Sequence, residues 1–250
     1  MEDIFKKTQL RVAIDGRNLE DLRPLLAHFP CKIVEEAPDL VISHGGDGSL
    51  LGAERKYPGV PKCPIRDRRQ NPKCPKHGEM DTLAKLFAGK LGTIELHKLE
   101  ISTDNASLRG INDVLVHHME PTAALRFRIW VDDELFRPQV ICDSLLLATP
   151  FGSTGYFQSM THGNLRTGLG MAFNNSLDLL GYTVLPEDAV IRAELLRGPA
   201  VIVADNDPAR ISLDTGDVFT IRSLPEKTIL YGIDVFRCQD CFDLRKTGKR

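Results

Sequence analysis

The sequence predicts an α/β N-terminal domain with a parallel sheet, followed by a β-rich C-terminal domain. Over the first ~55 residues, short apolar strands alternate with helical spacing, the pattern of a doubly wound α/β unit. A proline-rich, basic stretch from Tyr57 to Gly78 then breaks the pattern. From about residue 91 onward, period-two alternation and β-branched runs take over. The boundaries read as 1–90 for the α/β domain, 91–235 for the β-rich domain and 236–250 for a C-terminal tail.

The elements follow in order. Arg11 to Asp15 is a short buried strand, and Asn18 is placed to cap a helix carrying Leu19, Leu22, Leu25, Leu26 and Phe29 on one face. Cys31 to Val34 and Leu40 to Ser43 are two further strands, and a helix begins near Ser49. Pro58, Pro61, Pro64, Pro72 and Pro75 exclude a regular helix and argue against a strand, so residues 57–78 are expected to form a long ordered loop. A helix bearing Leu83, Leu86 and Phe87 follows. Strands are expected at Thr93 to His97, Ile111 to Val116, Leu125 to Val131, Val140 to Thr149, Val201 to Ala204, Ile211 to Leu213 and Val218 to Ile221, with Asp132-Asp133 as a turn.

Composition narrows the function classes. The chain has 250 residues, 42% hydrophobic and 26% charged, with a formal net charge of -2, so nothing favours general nucleic-acid binding. No apolar run approaches membrane-spanning length, and the N-terminus lacks a charged-then-apolar leader pattern. A cytoplasmic location without a membrane or nucleic-acid partner is therefore expected. Six scattered cysteines do not make a disulfide framework.

The strongest local signal is the run from Asp39 through Gly45-Gly46-Asp47-Gly48-Ser49 to Lys56: strand, tight turn, helix. Glycines let backbone amides approach a phosphate closely, and a helix N-terminus directs N–H groups and a positive dipole end toward it. Asp47 then stands beside phosphate, where an acid can hold Mg²⁺ or accept a hydroxyl proton. Ser49 can cap the helix or touch the ligand. A plain Asp-Gly turn is the competing reading, and two preceding glycines between a strand and a helix speak against it.

A second small-residue turn follows the strand beginning at Val140: Thr149-Pro150-Phe151-Gly152-Ser153-Thr154-Gly155-Tyr156, with Asp143 upstream and Ser159 beyond it. Its hydroxyls and glycines suit ribose or phosphate, and Tyr156 can flank a base. A third element, Asn112-Asp113, on its own reads as a turn or bulge in a strand.

Gly45-Gly46-Asp47-Gly48-Ser49 is similar to the Gly-Gly-Asp-Gly-Thr motif of a superfamily that includes NAD kinases, diacylglycerol-type lipid kinases and, more distantly, phosphofructokinases. The Thr149 to Tyr156 segment resembles the NAD kinase signature, and Asn112-Asp113 resembles that family's Asn-Glu pair. The resemblance to the NAD kinase family covers roughly residues 10–222. It implies transfer of a phosphoryl group from ATP, with Mg²⁺, to the adenosine ribose 2′-OH of NAD. It makes Asp47 the catalytic acid and places Gly45, Gly46, Gly48 and Ser49 at phosphate. It assigns the dinucleotide to Asn112, Asp113, Asp143, Thr149, Phe151, Ser153, Thr154, Gly155, Tyr156 and Ser159. It also implies a homodimer or homotetramer. Alternatives are a lipid, nucleoside or sugar kinase of the same superfamily, or an inactive NAD(P)-binding regulator.

The family's glycine-rich segment after the first motif is replaced by Cys63 to Pro72, Phe151 takes the place of a small hydroxyl residue, and a late Asp-Gly element becomes Asp205-Asn206-Asp207. The family's Pro-His-Ser and Arg-Pro segment is not recognisable between Leu177 and Leu196. The basic residues Arg66 to Lys76 read equally as a phosphate receiver or a solvated loop. No metal ligand set is assigned. Cys63, Cys74, His77, Cys238 and Cys241 include the residue types of a zinc site, but cysteine pairs this far apart in sequence are usually incidental.

Overall fold

In the computed structural model, residues 4–69, 77–177 and 181–247 are described. The expected Cys74, and the prolines and lysines of the basic stretch from Pro72 to Lys76, lie outside them. The chain forms two compact units, Met1–Leu96 with Thr228–Arg250, and His97–Lys227. The last segment thus returns to the first unit, where the sequence suggests a separate tail.

The first unit contains β1 (Leu10–Gly16), α1 (Leu19–Leu26), β2 (Cys31–Ile33), β3 (Leu40–Gly45), α2 (Asp47–Lys56), β4 (Lys62–Arg66) and α3 (Glu79–Phe87). Its strands run parallel in the order β2-β1-β3-β4. β3 is buried along its whole length because helices cover both faces. Leu40 and Ile42 pack with Leu22 and Leu26 of α1 and Leu83 and Leu86 of α3. Val41 turns the other way, toward Ala13 and Ala53 of α2. A strand buried on both faces reads as a continuous apolar run, which is why this one stood out in the sequence.

The 57–78 stretch is not one long loop, because it contains β4. The Asp67 N–H donates to the Gly45 carbonyl (3.3 Å) and the Pro61 carbonyl accepts from Val41 (2.9 Å), so odd-numbered residues of β4 bond toward β3. Pro64 therefore lacks its N–H on the side away from β3, where no bond of that ladder is lost.

The second unit is antiparallel throughout. β5 (Thr93–Ser102) leads into it, followed by β6 (Ser107–Gly110), β7 (Asp113–His118), β8 (Leu125–Val131), β9 (Glu134–Cys142), β10 (Ser144–Ala148) and α4 (Tyr156–Thr161). Then come β11 (Leu169–Asn174), β12 (Tyr182–Leu185), β13 (Ile191–Arg197), β14 (Ala200–Ala204), β15 (Ile211–Leu213) and β16 (Val218–Tyr231), which leads back. α5 (Ile233–Phe236) and α6 (Gln239–Thr247) complete the first unit.

One sheet of the second unit has the order β12-β11-β10-β7-β14-β15, and β16-β13-β8-β9 form the opposing layer. β8, β13 and β14 alternate buried and half-buried residues, as strands with one face in the core must. β10 is buried on both faces, because Phe157 of α4 covers Leu146 and Ala148 on its outer side. The expected turn at Asp132-Asp133 joins β8 to β9, with φ of 50° and 64° at its two residues. That double left-handed conformation matches the twist of a two-residue hairpin. The expected strand from Val140 to Thr149 is broken at Asp143, between β9 and β10.

Candidate active site

In the first unit the chain steps from β1 to β2 on one side, then crosses back to β3 on the other side of β1. An open α/β sheet binds ligands at such a switch point, outside the carboxyl ends of its strands. The Gly45-Gly46-Asp47 turn follows the carboxyl end of β3. Gly45 has φ of 143°, and a Cβ there would lie 2.2 Å from Ser49 Oγ, so only glycine fits. The helix starts two residues earlier than expected: Gly46 is its N-cap and Asp47 its first residue. The Ser49 amide is held by the Gly46 carbonyl at 3.0 Å. Gly48 is exposed on the first turn.

Asp47 sits between two arginines. Its Oδ2 accepts from Arg66 Nη2 at 3.0 Å. Its Oδ1 accepts from Arg237 Nε at 3.1 Å and stands 2.9 Å from Nη2 of the same residue. Burial by itself would raise the Asp47 pKa, but the charges and hydrogen bonds of Arg66 and Arg237 win and hold it below the usual carboxylate range. Arg66 is fixed in turn: its Nε donates to the Phe236 carbonyl at 3.0 Å, and its guanidinium lies 3.9 Å from the Phe236 ring centre. Asn18 does not cap α1. It takes a left-handed conformation, and its Nδ2 donates to Asp67 Oδ2 at 2.7 Å, tying the end of β1 to the end of β4.

In the second unit Asp205 organises Asn112 and Asp113. Its carboxylate accepts the backbone N–H groups of Ile111 (2.9 Å), Asn112 (2.9 Å) and Asp113 (3.1 Å). Burial, and then the Asp205 charge, push the Asp113 carboxyl up to about 7. Asn112 Oδ1 is buried with no hydrogen-bond partner among the described residues. Such an acceptor is costly to leave unmade and marks a place for a ligand donor.

The Thr149 to Tyr156 turn lies against the same pair. Thr149 Oγ1 donates toward the Ile111 carbonyl (2.6 Å) and accepts the Gly152 amide (3.1 Å). A Cβ at Gly152 would come within 2.1 Å of the Asn112 carbonyl oxygen, so that approach also requires glycine. Ser153 Oγ donates to the Pro150 carbonyl (2.8 Å) and accepts the Leu165 amide (3.0 Å). The Thr149 and Ser153 hydroxyls thus hold the turn together from inside, and Phe151 is buried beside them. Thr154, Gly155, Tyr156 and Ser159 are among the exposed members of the turn and of α4, and Ser159 Oγ donates to the Tyr156 carbonyl at 2.7 Å.

Asp143 is not brought to this turn. It precedes β10 and Thr149 follows it, and at about 3.4 Å per residue an extended strand separates the two by roughly 20 Å. Its Oδ2 accepts from Asn175 Nδ2 at 2.6 Å instead. Asp143 therefore stands at the opposite end of β10 from the Thr149 turn.

Two solved structures share this fold. The yeast NADH kinase complexed with NADH has a TM-score of 0.78 and 15% identity, covering 95% of this chain and 87% of that one. An NAD kinase from Archaeoglobus fulgidus in complex with ATP has a TM-score of 0.72 and 17% identity, covering 92% and 97%. In sequence, the NAD kinase of Brucella melitensis is 26% identical over 80% of this chain and 81% of that protein. The NAD kinase of Shewanella frigidimarina is also 26% identical, over 58% of this chain and half of that protein's length. No protein-family model matches the chain.

The chain is similar to NAD kinases in sequence and shares their fold. The sequence gives no signal for two groups, one in each unit. Arg237, in the expected tail, meets Asp47 only through the fold. Asp205 looked like a degraded Asp-Gly element, yet its carboxylate anchors Ile111 to Asp113. Arg66, seen as part of a basic stretch, is the one member of that stretch that reaches Asp47 among the described residues.

Proposed function

We propose that this chain transfers the γ-phosphoryl group of ATP to the adenosine ribose 2′-OH of NAD, making NADP. The observation that carries the reading is the placement of Asp47. It is the first residue of α2, it follows two glycines at the carboxyl end of a parallel strand, and it lies between two guanidinium groups. The likeness to NAD kinases supplies the acceptor and the donor.

With its pKa held low, Asp47 is ionised at neutral pH and is a weak base. Its part is to accept a hydrogen bond from the 2′-OH and aim that oxygen at phosphorus. A loose phosphoryl-transfer transition state develops little charge on the attacking oxygen early, so a weak base suffices. Arg66 and Arg237 are suited to planar contact with phosphate oxygens. When the triphosphate arrives, one guanidinium exchanges the carboxylate for phosphate and releases an Asp47 oxygen to the acceptor hydroxyl. Asn112 Oδ1 accepts from the bound adenosine, protonated Asp113 can donate to it, and Tyr156 offers its exposed ring. Gly155, Thr154 and Ser159 border the same ligand, while Thr149, Phe151 and Ser153 shape the turn.

Mg²⁺ bound with the triphosphate would offset its charge. In that arrangement one Asp47 oxygen stays on arginine and the other takes the acceptor hydroxyl, so the metal is expected on the phosphates alone. The reading includes a homodimer or homotetramer in the cytoplasm, supported by the resemblance and the composition.

The test is ATP-dependent phosphorylation over a panel of NAD, NADH, nucleosides, a sugar and diacylglycerol, with NADP read by an NADP-specific dehydrogenase. NADP formation is expected. Phosphorylation of a lipid or sugar with none on NAD overturns the acceptor assignment. Thermal stabilisation by NAD without any transfer overturns the enzyme assignment.

A further inference from the structure

His77 lies far in the sequence from Cys238 and Cys241, yet the ligand atoms of all three fall within 4.8 Å of one another. Among the described residues they are the one group of three or more His, Cys, Asp or Glu side chains placed this way. We propose that these three residues form a Zn²⁺ site that ties the start of α6 to the segment leading into α3.

The local structure explains how the thiols are presented. Cys238 immediately precedes α6, and its carbonyl accepts the Phe242 amide at 3.0 Å. A Cys-x₂-Cys pair across the first helical turn puts both sulfurs on one side of the helix start. The positive end of the helix favours the negative charge that thiolate ligands carry. Cys241 is buried, and Cys238 and His77 are half-buried.

The histidine is the independent observation. His77 Nδ1 is buried with no hydrogen-bond partner among the described residues. A buried imidazole nitrogen without a partner costs free energy unless something accepts its lone pair or takes its proton. A cation held by two thiolates does the former. A cavity of about 10 Å³ lined by Arg66, His77, Phe236 and Cys241 adjoins the cluster. One nitrogen and two sulfurs form a borderline-soft set that suits tetrahedral Zn²⁺. Thiolates on one zinc stand about 3.8 Å apart, given Zn–S bonds of about 2.3 Å, so small side-chain rotations close the observed group around the ion. The fourth position belongs to a ligand outside these three.

Cys63 is no part of it. It is fully buried in the apolar core with Ile42 and Ile65, and burial pushes its thiol up to about 12.

The site has a consequence for Asp47. Arg237, whose guanidinium meets that carboxylate, is the residue before Cys238, and Phe236, which holds Arg66, is the residue before that. A metal at Cys238 and Cys241 fixes the backbone from which both arginines are aimed.

The experiment is metal analysis of the full chain purified without chelator, followed by chelation and titration with Zn²⁺ and, separately, Co²⁺. About one zinc per chain is expected, with the ligand-field and thiolate charge-transfer bands of tetrahedral cobalt on substitution. Chelation should lower the Tm by on the order of 5–10 °C, and added zinc should restore it. Cys238→Ser and His77→Ala should each lose the stoichiometric zinc, while Cys31→Ser keeps it. If a variant fails to fold, the cobalt titration of the unmodified protein still decides. A chain that neither retains nor takes up zinc, or whose Cys238 and Cys241 form a disulfide and bind no metal when reduced, overturns the site. These readouts do not depend on phosphoryl transfer.

Discussion

Arg237 reaches Asp47 across 190 residues of sequence, its Nε standing 3.1 Å from Oδ1. The residue read from sequence as the centre of the chemistry is thus held by one that the sequence left in a tail.

Asp47→Asn should fold, because asparagine keeps the size and can still accept from Arg66. It should lose transfer by about 10²–10⁴-fold, the usual contribution of a positioned proton acceptor. NADP formation and a thermal melt on the same preparation check both halves. A variant with unchanged turnover removes Asp47 from the mechanism.

Arg237→Met should shift the acid side of the stability curve. The folded pKa of Asp47 is lowered, so its contribution is present above the unfolded value near 3.8 and is lost as pH falls through the folded pKa. The variant should therefore be less stable than the parent at neutral pH, and the gap should close in strong acid. The carboxylate side chain is 40% exposed, so screening keeps the difference to about 1 kcal/mol or less. Urea melts at several pH values measure it. A gap independent of pH would assign the effect to lost packing of the Arg237 side chain instead.

For Asp113 the sign is reversed. Its folded pKa is raised from 3.8 to about 7, so its contribution is full below the unfolded value and is lost as pH rises through about 7. Asp113→Asn mimics the protonated form next to Asp205. The Tm of the variant should gain on that of the parent between mildly acidic and mildly alkaline buffer. Parallel Tm curves across that window would show that Asp113 does not titrate there.

Gly152→Ala places a Cβ against the Asn112 carbonyl, with 2.1 Å to the oxygen and 2.4 Å to the carbon, both backbone atoms that cannot swing away. A stability loss of about 1–3 kcal/mol is expected from the forced backbone shift. Thermal stabilisation by NAD should weaken in the same variant, because Asn112 and the turn move together. Gly89→Ala is the comparison: nothing lies within 4 Å of a Cβ there, but its φ of 64° still carries strain, so its cost should be the smaller and NAD stabilisation unchanged.

The alternation of strands and helices in the first unit, the period-two strands of the second and the Gly-Gly-Asp turn were all legible in the chain. Each depends on contacts close in sequence, or on a burial period that residue type alone records. The Pro64 strand was hidden, because a proline is tolerated or forbidden according to which neighbour its missing N–H faces, and only the β3–β4 register settles that. Asp143 shows the converse: a motif written in one line of sequence is spread along a strand, and the extended backbone carries its two ends apart.

By itself the sequence determined the two kinds of domain, the place of Asp47 at a helix start and the small-residue turn from Thr149. Tertiary structure alone decided what Asp47, Asp113 and His77 face. Arg66 with Arg237, Asp205, and Cys238 with Cys241 come from distant segments, and their effect on a carboxylate or an imidazole depends on separations of a few ångströms. Charge and coordination fall off over that distance, so the fold, not the order of residues, sets the chemistry of these groups.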